Sequence, residues 1–181
     1  MMSRYKLLRK AWWRKAMCEA GTASVEFAIV VWVFLLLFVS SFELGMATMR
    51  LTMLEHGLDK AMRDVRLGTA TTFTREEIRD RVCNYAGLLK NCQDNLLLEM
   101  QVVDRDLFSL PEVRATCINK SQPAVPVTDF VNGADSDLMF IRACYVIDPL
   151  YPKLALGAML KTDSAGNMQL VASSIFAQEP S

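Results

Sequence analysis

One carboxylate stands where a charge is costly. Glu26 lies near the head of an apolar run that ends at Phe42, and thirteen of the residues 25–42 are Val, Ile, Leu or Phe. An ionised side chain in lipid is penalised unless it meets a positive partner or reaches the interface. Pairing with a cation is therefore the chemistry that this position suggests. The alternative is that Glu26 only marks the boundary of a span that begins at Phe27.

Four of the five cysteines follow the apolar run. An even set of Cys83, Cys92, Cys117 and Cys144 in an oxidising compartment predicts two disulfides. Four cysteines allow three pairings, and the sequence alone does not choose among them. Closeness along the chain favours Cys83–Cys92, which leaves Cys117–Cys144. A metal site is the weaker alternative, because the chain has no Cys-x-x-Cys pair and its single histidine lies far from the cysteines.

No group of residues nominates a catalytic centre. The sequence has no Gly-x-Ser-x-Gly motif and no glycine-rich phosphate loop, and its only histidine, His56, falls in a predicted helix. We therefore expect no enzymatic activity, no cofactor and no metal. Residues 44–181 carry a formal net charge of −3, which disfavours nucleic-acid binding.

The apolar run is predicted to enter a lipid bilayer. Its thirteen large apolar residues favour insertion by about 4–8 kcal/mol, whereas one acidic residue opposes insertion by about 3 kcal/mol. Residues 21–42 are long enough to cross a membrane as a helix. Residues 1–21 carry a net charge of +5, so the positive-inside rule places them in the cytoplasm. The predicted divisions are a basic leader (1–21), a transmembrane helix (22–43) and an outer domain (44–181).

The helix is predicted to continue beyond the membrane to about residue 67, where Gly68 would end it. Gly45 and Gly57 are points where it could bend. Its apolar seam consists of Leu51, Leu54, Leu58, Ala61 and Val65. A second helix is predicted over 75–89, because Thr74 and Glu77 have the spacing of a capping box.

Three later segments are typical of strands: 96–104, 138–147 and 168–176. On the first, even-numbered residues from Leu96 to Val102 are expected to face inward, and Glu99 and Gln101 outward. On the third, the expected inward residues are Leu170, Ala172, Ser174 and Phe176. Less regular features are a short strand near 115–118, a short helix over 153–160 and a turn over 163–167. Together these elements predict an α+β class.

The junction resembles a type IV prepilin processing site. Gly21 is followed by Thr22, then by Glu26 and Phe27, and an apolar helix comes next. In that family a peptidase cuts after the glycine, and glutamate is the fifth mature residue. More narrowly, Gly-Thr-Ala-Ser-Val-Glu-Phe-Ala is similar to the TadE-like pseudopilins of the Flp (Tad) pilus system. Similar features recur later in the chain, in the spacing of the cysteines and in the closing Phe-x-x-Glu-Pro.

The resemblance implies a minor pilin or pseudopilin that acts in pilus assembly and adhesion. Its processing residues would be Gly21, Thr22, Glu26 and Phe27, and Glu26 would also pair with the N-terminal amine of a neighbouring subunit during assembly. The implied fold is a long N-terminal transmembrane helix that continues into a pilin-like domain with a small antiparallel sheet and a second helix.

The implied partners are a prepilin peptidase, other Flp/Tad pilus subunits, inner-membrane platform proteins and the lipid bilayer. The expected location is the bacterial inner membrane, single-pass, with the outer domain in the periplasm. Two alternatives stay open. One is an unprocessed, single-pass binding or sensor module in the periplasm, and the other is a periplasmic enzyme.

Overall fold

A computed structural model describes residues 2–67, 73–104, 114–122, 126–134, 136–150 and 166–178, with side chains described from Thr22 onward. Its helices are α1 (Met2–Leu67), α2 (Arg75–Ala86) and α3 (Cys92–Asn95), and its strands are β1 (Leu96–Val103), β2 (Leu138–Ile147) and β3 (Met168–Ala177). The predicted α+β class, with a long N-terminal helix, a second helix and a three-stranded antiparallel sheet, is confirmed. The chain forms two compact units, Met1–Phe42 and Glu43–Ser181.

The second half of α1 forms one wall of the hydrophobic core of Glu43–Ser181. The seam predicted from helical spacing is buried from Leu54 to Val65, and Leu51 is partly buried against it. Residues three and four apart share one face of a helix, so a single apolar stripe covers the core while charged residues fill the opposite face. Leu54 and Ala61 are both 0% exposed, which shows how completely this stripe is covered.

The capping box that begins α2 forms as predicted. The Glu77 amide donates to the Thr74 hydroxyl at 3.3 Å, and the Thr74 amide donates to the Glu77 carboxylate at 2.9 Å. The hydrogen bond from the Thr74 backbone lowers the pKa of Glu77 because it stabilises the ionised carboxylate. Two backbone N–H groups that the first turn leaves without helical partners are thereby satisfied.

The predicted end of α2 near residue 89 is wrong. The helix ends at Ala86, and Gly87 follows with φ +56°, donating its amide to the Cys83 carbonyl at 3.2 Å. A positive φ costs glycine little, so this residue turns the chain out of the helix. Leu88 and Leu89 continue the apolar pattern without continuing the helix, and the short helix α3 then begins at Cys92.

The sheet has the order β1-β2-β3, and both neighbouring pairs are antiparallel. Opposite Ala143 on the central strand lie Leu98 of β1 and Ala172 of β3. The strand suggested near 115–118 is absent from the described residues 114–122. Instead, the outer edge of β1 forms a parallel bridge with Phe130, held by two backbone hydrogen bonds of 3.0 Å at Met100.

One face of the sheet packs on the helices, largely as the alternation predicts. Leu96, Leu98 and Met100 are buried in the main core, and on β3 the buried residues include Leu170, Ala172 and Phe176. Val102 departs from the expected pattern, since its side chain is 43% exposed near the end of β1. The other face is not simply solvated, because Glu99 is only 5% exposed.

Several sequence predictions fall outside the described residues. They are the helix stop at Gly68, the short helix over 153–160, most of the turn over 163–167, and the closing Glu179-Pro180.

Candidate functional site

The processing junction lies inside α1. Gly21 and Thr22 are consecutive residues of this helix, and the described side chains begin at Thr22. The side chains of Thr22, Glu26 and Phe27 are all exposed, and Phe27 is 68% exposed. Thr22 and Glu26 are four residues apart, so they lie on the same face of the helix about one turn apart. The structure thus presents all three residues on the helix surface.

The segment that follows is apolar on every side. Large apolar side chains are exposed at consecutive positions from Val33 to Leu37, which is more than one full turn of helix. Within the described residues, one helix segment, Thr22–Arg66, is long and apolar enough to cross a membrane. A helix that is apolar all round needs an apolar environment. It therefore fits a single-pass membrane anchor.

Hydroxyl groups at the end of this apolar segment bond to their own helix. The Ser40 hydroxyl donates to the Leu36 carbonyl at 2.7 Å, and the Ser41 hydroxyl donates to the Leu37 carbonyl at 2.8 Å. Thr48 and Thr52 bond back along the helix in the same way. Such bonds satisfy the hydroxyl donors without water, which suits a helix at a membrane boundary.

Beyond the apolar segment, α1 meets α2 at a glycine. A Cβ atom at Gly57 would lie 2.7 Å from the Val82 carbonyl oxygen and 3.0 Å from the Ala86 Cβ. The missing side chain therefore allows the two helices to approach closely. The sequence suggested Gly57 as a bending point, and the structure shows it as the place where α2 crosses α1.

A hydrogen bond also links the two helices. The Tyr85 hydroxyl of α2 donates to the Asp64 carboxylate of α1 at 2.6 Å. This hydrogen bond is the largest cause of a raised pKa at Tyr85, and the negative charge of Asp64 is the next. Both raise the pKa because they favour the protonated phenol. The contact adds a polar link at the surface to the close packing around Gly57.

The structure contains both of the disulfides that the sequence favoured. Cys83 of α2 bonds to Cys92 at the start of α3, with Cα atoms 5.7 Å apart, and Cys117 bonds to Cys144 of β2, with Cα atoms 5.4 Å apart. The first disulfide fixes the turn that follows α2. The second fastens the segment 114–122 to the central strand. These are the pairs that closeness along the chain favoured.

The same segment covers an ion pair that the sequence did not reveal. Arg142 of β2 donates its Nε to Glu99 Oε2 at 2.8 Å and makes a second, shorter bond through Nη2. The Thr116 amide donates to Glu99 Oε1 at 3.0 Å, so both carboxylate oxygens are bonded. Glu99 and Arg142 lie directly opposite each other in the register of β1 and β2. The signals in the sequence were a lone glutamate and a lone arginine, each within a largely apolar strand segment.

Comparison with known proteins gave a match to one family model over part of the chain. The family model described as "TadE-like protein" matches residues 21–63, which contain the junction, the apolar segment and most of the core seam of α1. The match begins at Gly21 and includes Thr22, Glu26 and Phe27. The features of the later part of the chain lie beyond the matched segment.

Neither the curated proteins nor the solved structures gave a match. The family match therefore rests on the N-terminal segment, where the geometry also shows an exposed junction and an apolar helix. The resemblance predicted from these residues is confirmed there. Residues 21–63 match the TadE-like family model, which is consistent with a protein of the Flp (Tad) pilus system.

Proposed function

We propose that the chain is a minor pilin or pseudopilin that acts in assembly of a Flp-type (Tad) pilus. The observation that carries the proposal is the family match, which begins at Gly21, the residue after which a prepilin peptidase would cut. The peptidase, other pilus subunits and the inner-membrane platform are the partners that this role requires. In this proposal the chain acts through packing and contacts rather than through catalysis.

The proposed topology follows from charge and hydropathy. Residues 1–21 carry a net charge of +5 and stay in the cytoplasm by the positive-inside rule. The apolar part of α1 crosses the inner membrane, and Glu43–Ser181 lies in the periplasm. Two disulfides in this unit support an oxidising compartment.

Glu26 supplies the assembly contact in this proposal. Cleavage after Gly21 would create a positive amine at Thr22, and an acidic side chain in an apolar setting is stabilised by a cation. Pairing of Glu26 with the amine of a neighbouring subunit would draw the helices together and fix their axial register. The exposed position of Glu26 on α1 leaves it accessible to such a neighbour.

Substitution of Glu26 by glutamine tests this role. The Glu26→Gln chain should still enter the membrane, because removing a charge favours insertion. We expect it to be recruited poorly into assembled pilus complexes, measured by quantitative immunoblotting of cross-linked complexes from the membrane. Glu55→Gln is the matched control, since Glu55 is an exposed glutamate of the same helix beyond the apolar segment. Equal recruitment of both variants and the unmodified chain would remove Glu26 from the mechanism.

The alternative function is an unprocessed, single-pass binding or sensor module. A polar cavity in Glu43–Ser181, called the outer unit below, is the observation that favours it. The two functions predict different N-termini in the membrane fraction, Thr22 for the pilin and Met1 for the module.

A further inference from the structure

A polar cavity opens at one end of the sheet in Glu43–Ser181. Its volume is about 360 Å³, which lies at the lower end of the range of about 300–1,000 Å³ for small-molecule sites. It lies where β1 begins and β2 ends, next to the core face of α1. Its charged lining residues are Arg50, Lys90, Asp94, Lys120 and Asp148.

The lining of the cavity carries a more positive formal charge than the unit around it. Three cations and two carboxylates give the cavity a formal charge of +1, whereas residues 44–181 carry −3. Lys120 donates to Asp148 at 2.9 Å, so these two charges largely cancel. Arg50 and Lys90 form no ion pair with any residue in the described part of the chain. Two cations therefore remain available to an anion in the cavity.

A hydrogen bond joins two of the lining residues of the cavity. The buried Tyr145 hydroxyl donates to the Lys90 carbonyl at 2.7 Å, which ties the loop that carries Lys90 to the central strand. Burial raises the pKa of Tyr145, while the charge of Arg50 acts in the opposite direction, as expected if the guanidinium lies near the phenol. Arg50 is half-buried, and a guanidinium can form two parallel hydrogen bonds to a phosphate group.

One lining residue of the cavity, Arg50, belongs to α1 and lies close in sequence to the end of the apolar run. Arg50 follows Glu43 by seven residues of α1, or about 10 Å of helical rise. A second, smaller cavity shares Arg50, Ile147 and Asp148 with the first and is lined by Glu43 itself. Glu43 directly follows Phe42, the last residue of the apolar run. Long basic side chains at this distance reach the headgroup zone of a bilayer.

We propose that this cavity, through Arg50 and Lys90, binds a phosphate group, and that an anionic phospholipid headgroup of the periplasmic leaflet supplies it. The lipid source rests on the proposed membrane anchoring, whereas the phosphate chemistry does not. Bound in this way, the headgroup would fix the sheet end of the outer unit against the membrane surface. A Lys or Arg near an anionic membrane contributes roughly a fivefold gain in binding.

The test uses the full chain in detergent micelles and isothermal titration calorimetry. The probes are dihexanoyl phosphatidylglycerol, dihexanoyl phosphatidylcholine and inorganic phosphate. The variant Arg50→Gln/Lys90→Gln removes both free cations, and Arg63→Gln/Arg66→Gln is the matched control, which removes two exposed charges of α1 that do not line the cavity. The single variant Lys90→Gln changes only an exposed side chain, so it remains informative if the double variant is unstable.

We expect phosphatidylglycerol to bind more tightly than phosphatidylcholine, and the affinity to fall about 30-fold in Arg50→Gln/Lys90→Gln and about fivefold in Lys90→Gln. The control should bind like the unmodified chain. Inorganic phosphate binding as tightly as phosphatidylglycerol, with the same loss in the variants, would retain the phosphate site and overturn the lipid source. Equal binding by all variants would overturn the whole proposal.

Failure of the proposed pilin function can be distinguished from failure of the phosphate site. A chain that stays uncleaved at Gly21 would still show this charge-dependent phosphate binding, because the cavity lies wholly within Glu43–Ser181. A chain absent from the membrane fraction would remove the lipid source and leave the inorganic phosphate titration as the deciding result.

Discussion

Replacement of Gly57 by alanine tests the close crossing of α1 and α2. The added Cβ would lie 2.7 Å from the Val82 carbonyl oxygen, a backbone atom that cannot rotate away. The helices would have to separate, and overpacking of this kind costs about 1–3 kcal/mol. Alanine at the same time gains about 1 kcal/mol over glycine in a helix. We therefore expect Gly57→Ala to destabilise the outer unit by up to about 2 kcal/mol.

Gly45 provides the matched control on the same helix. Apart from its chain neighbours and the backbone of its own helix turn, nothing lies within 4 Å of a Cβ built at Gly45, so Gly45→Ala keeps the gain in helix propensity without the clash. This variant should be stabilised by up to about 1 kcal/mol. The difference between the two variants, about 1–3 kcal/mol, isolates the cost of the clash.

The assay is thermal unfolding of the full chain in micelles, followed by the near-ultraviolet circular dichroism of its tyrosines. Tyr85 and Tyr145 report on the outer unit, since both lie within Glu43–Ser181. At about 4 °C for each kcal/mol, the two melting temperatures should differ by roughly 4–12 °C. Equal melting temperatures for Gly45→Ala and Gly57→Ala would show that α2 does not pack on Gly57 as described.

Three further predictions concern the outer unit. Replacing both Cys117 and Cys144 by serine should lower the free energy of unfolding by about 3–4 kcal/mol. This loss should exceed that from removing the other disulfide, because the closed loop spans 27 residues rather than 9. Urea titration of the two variants measures both losses. Arg142→Met should cost about 3–5 kcal/mol, because it leaves Glu99 buried without its cation, and adding Glu99→Leu should restore much of the loss in the same titration. The lowered pKa of Glu77 stabilises the fold at pH values above the unfolded pKa, and this contribution disappears as the pH falls through the lowered folded pKa; Glu77→Gln should flatten that part of the curve of melting temperature against pH.

Elements that depend on neighbours in the sequence were predictable. The start of α2 follows from Thr74 and Glu77, three residues apart, whose mutual hydrogen bonds form within one helical turn. The strand β3 follows from alternation, because one face of an edge strand packs on the core and the other stays exposed. The junction at Gly21 and Glu26 was equally local, and the family match covers it.

Features that depend on distant partners were not predictable. Glu99 and Arg142 are 43 residues apart, and only the register of β1 and β2 brings them together. Glu99 also accepts a hydrogen bond from the Thr116 amide, whose segment is held by a disulfide rather than by strand pairing. Gly57 is visible as a small residue in a helix, but the sequence does not show that Val82 approaches it.

The end of α2 shows how two local signals can compete. Leu88 and Leu89 extend the apolar pattern and favoured a longer helix, whereas Gly87 ends it by adopting a positive φ. The glycine prevails because the turn is fixed by two contacts, the hydrogen bond that the Gly87 amide donates to the Cys83 carbonyl and the disulfide from Cys83 to Cys92. The second of these constraints depends on a pairing that the sequence left open.

The most direct test of the proposed function is to determine which residue forms the N-terminus of the chain in its native membrane. Intact mass measurement of the chain purified from the membrane fraction should give the mass of residues 22–181 with both disulfides formed, two hydrogen atoms lighter for each. Gly21→Leu should block cleavage and restore the full-length mass, while Ala20→Ser should be cut normally, because the change lies outside the residues predicted to direct processing. A full-length mass that begins at Met1 in the unmodified chain, in cells with an active prepilin peptidase, would contradict the pilin function and favour the unprocessed module.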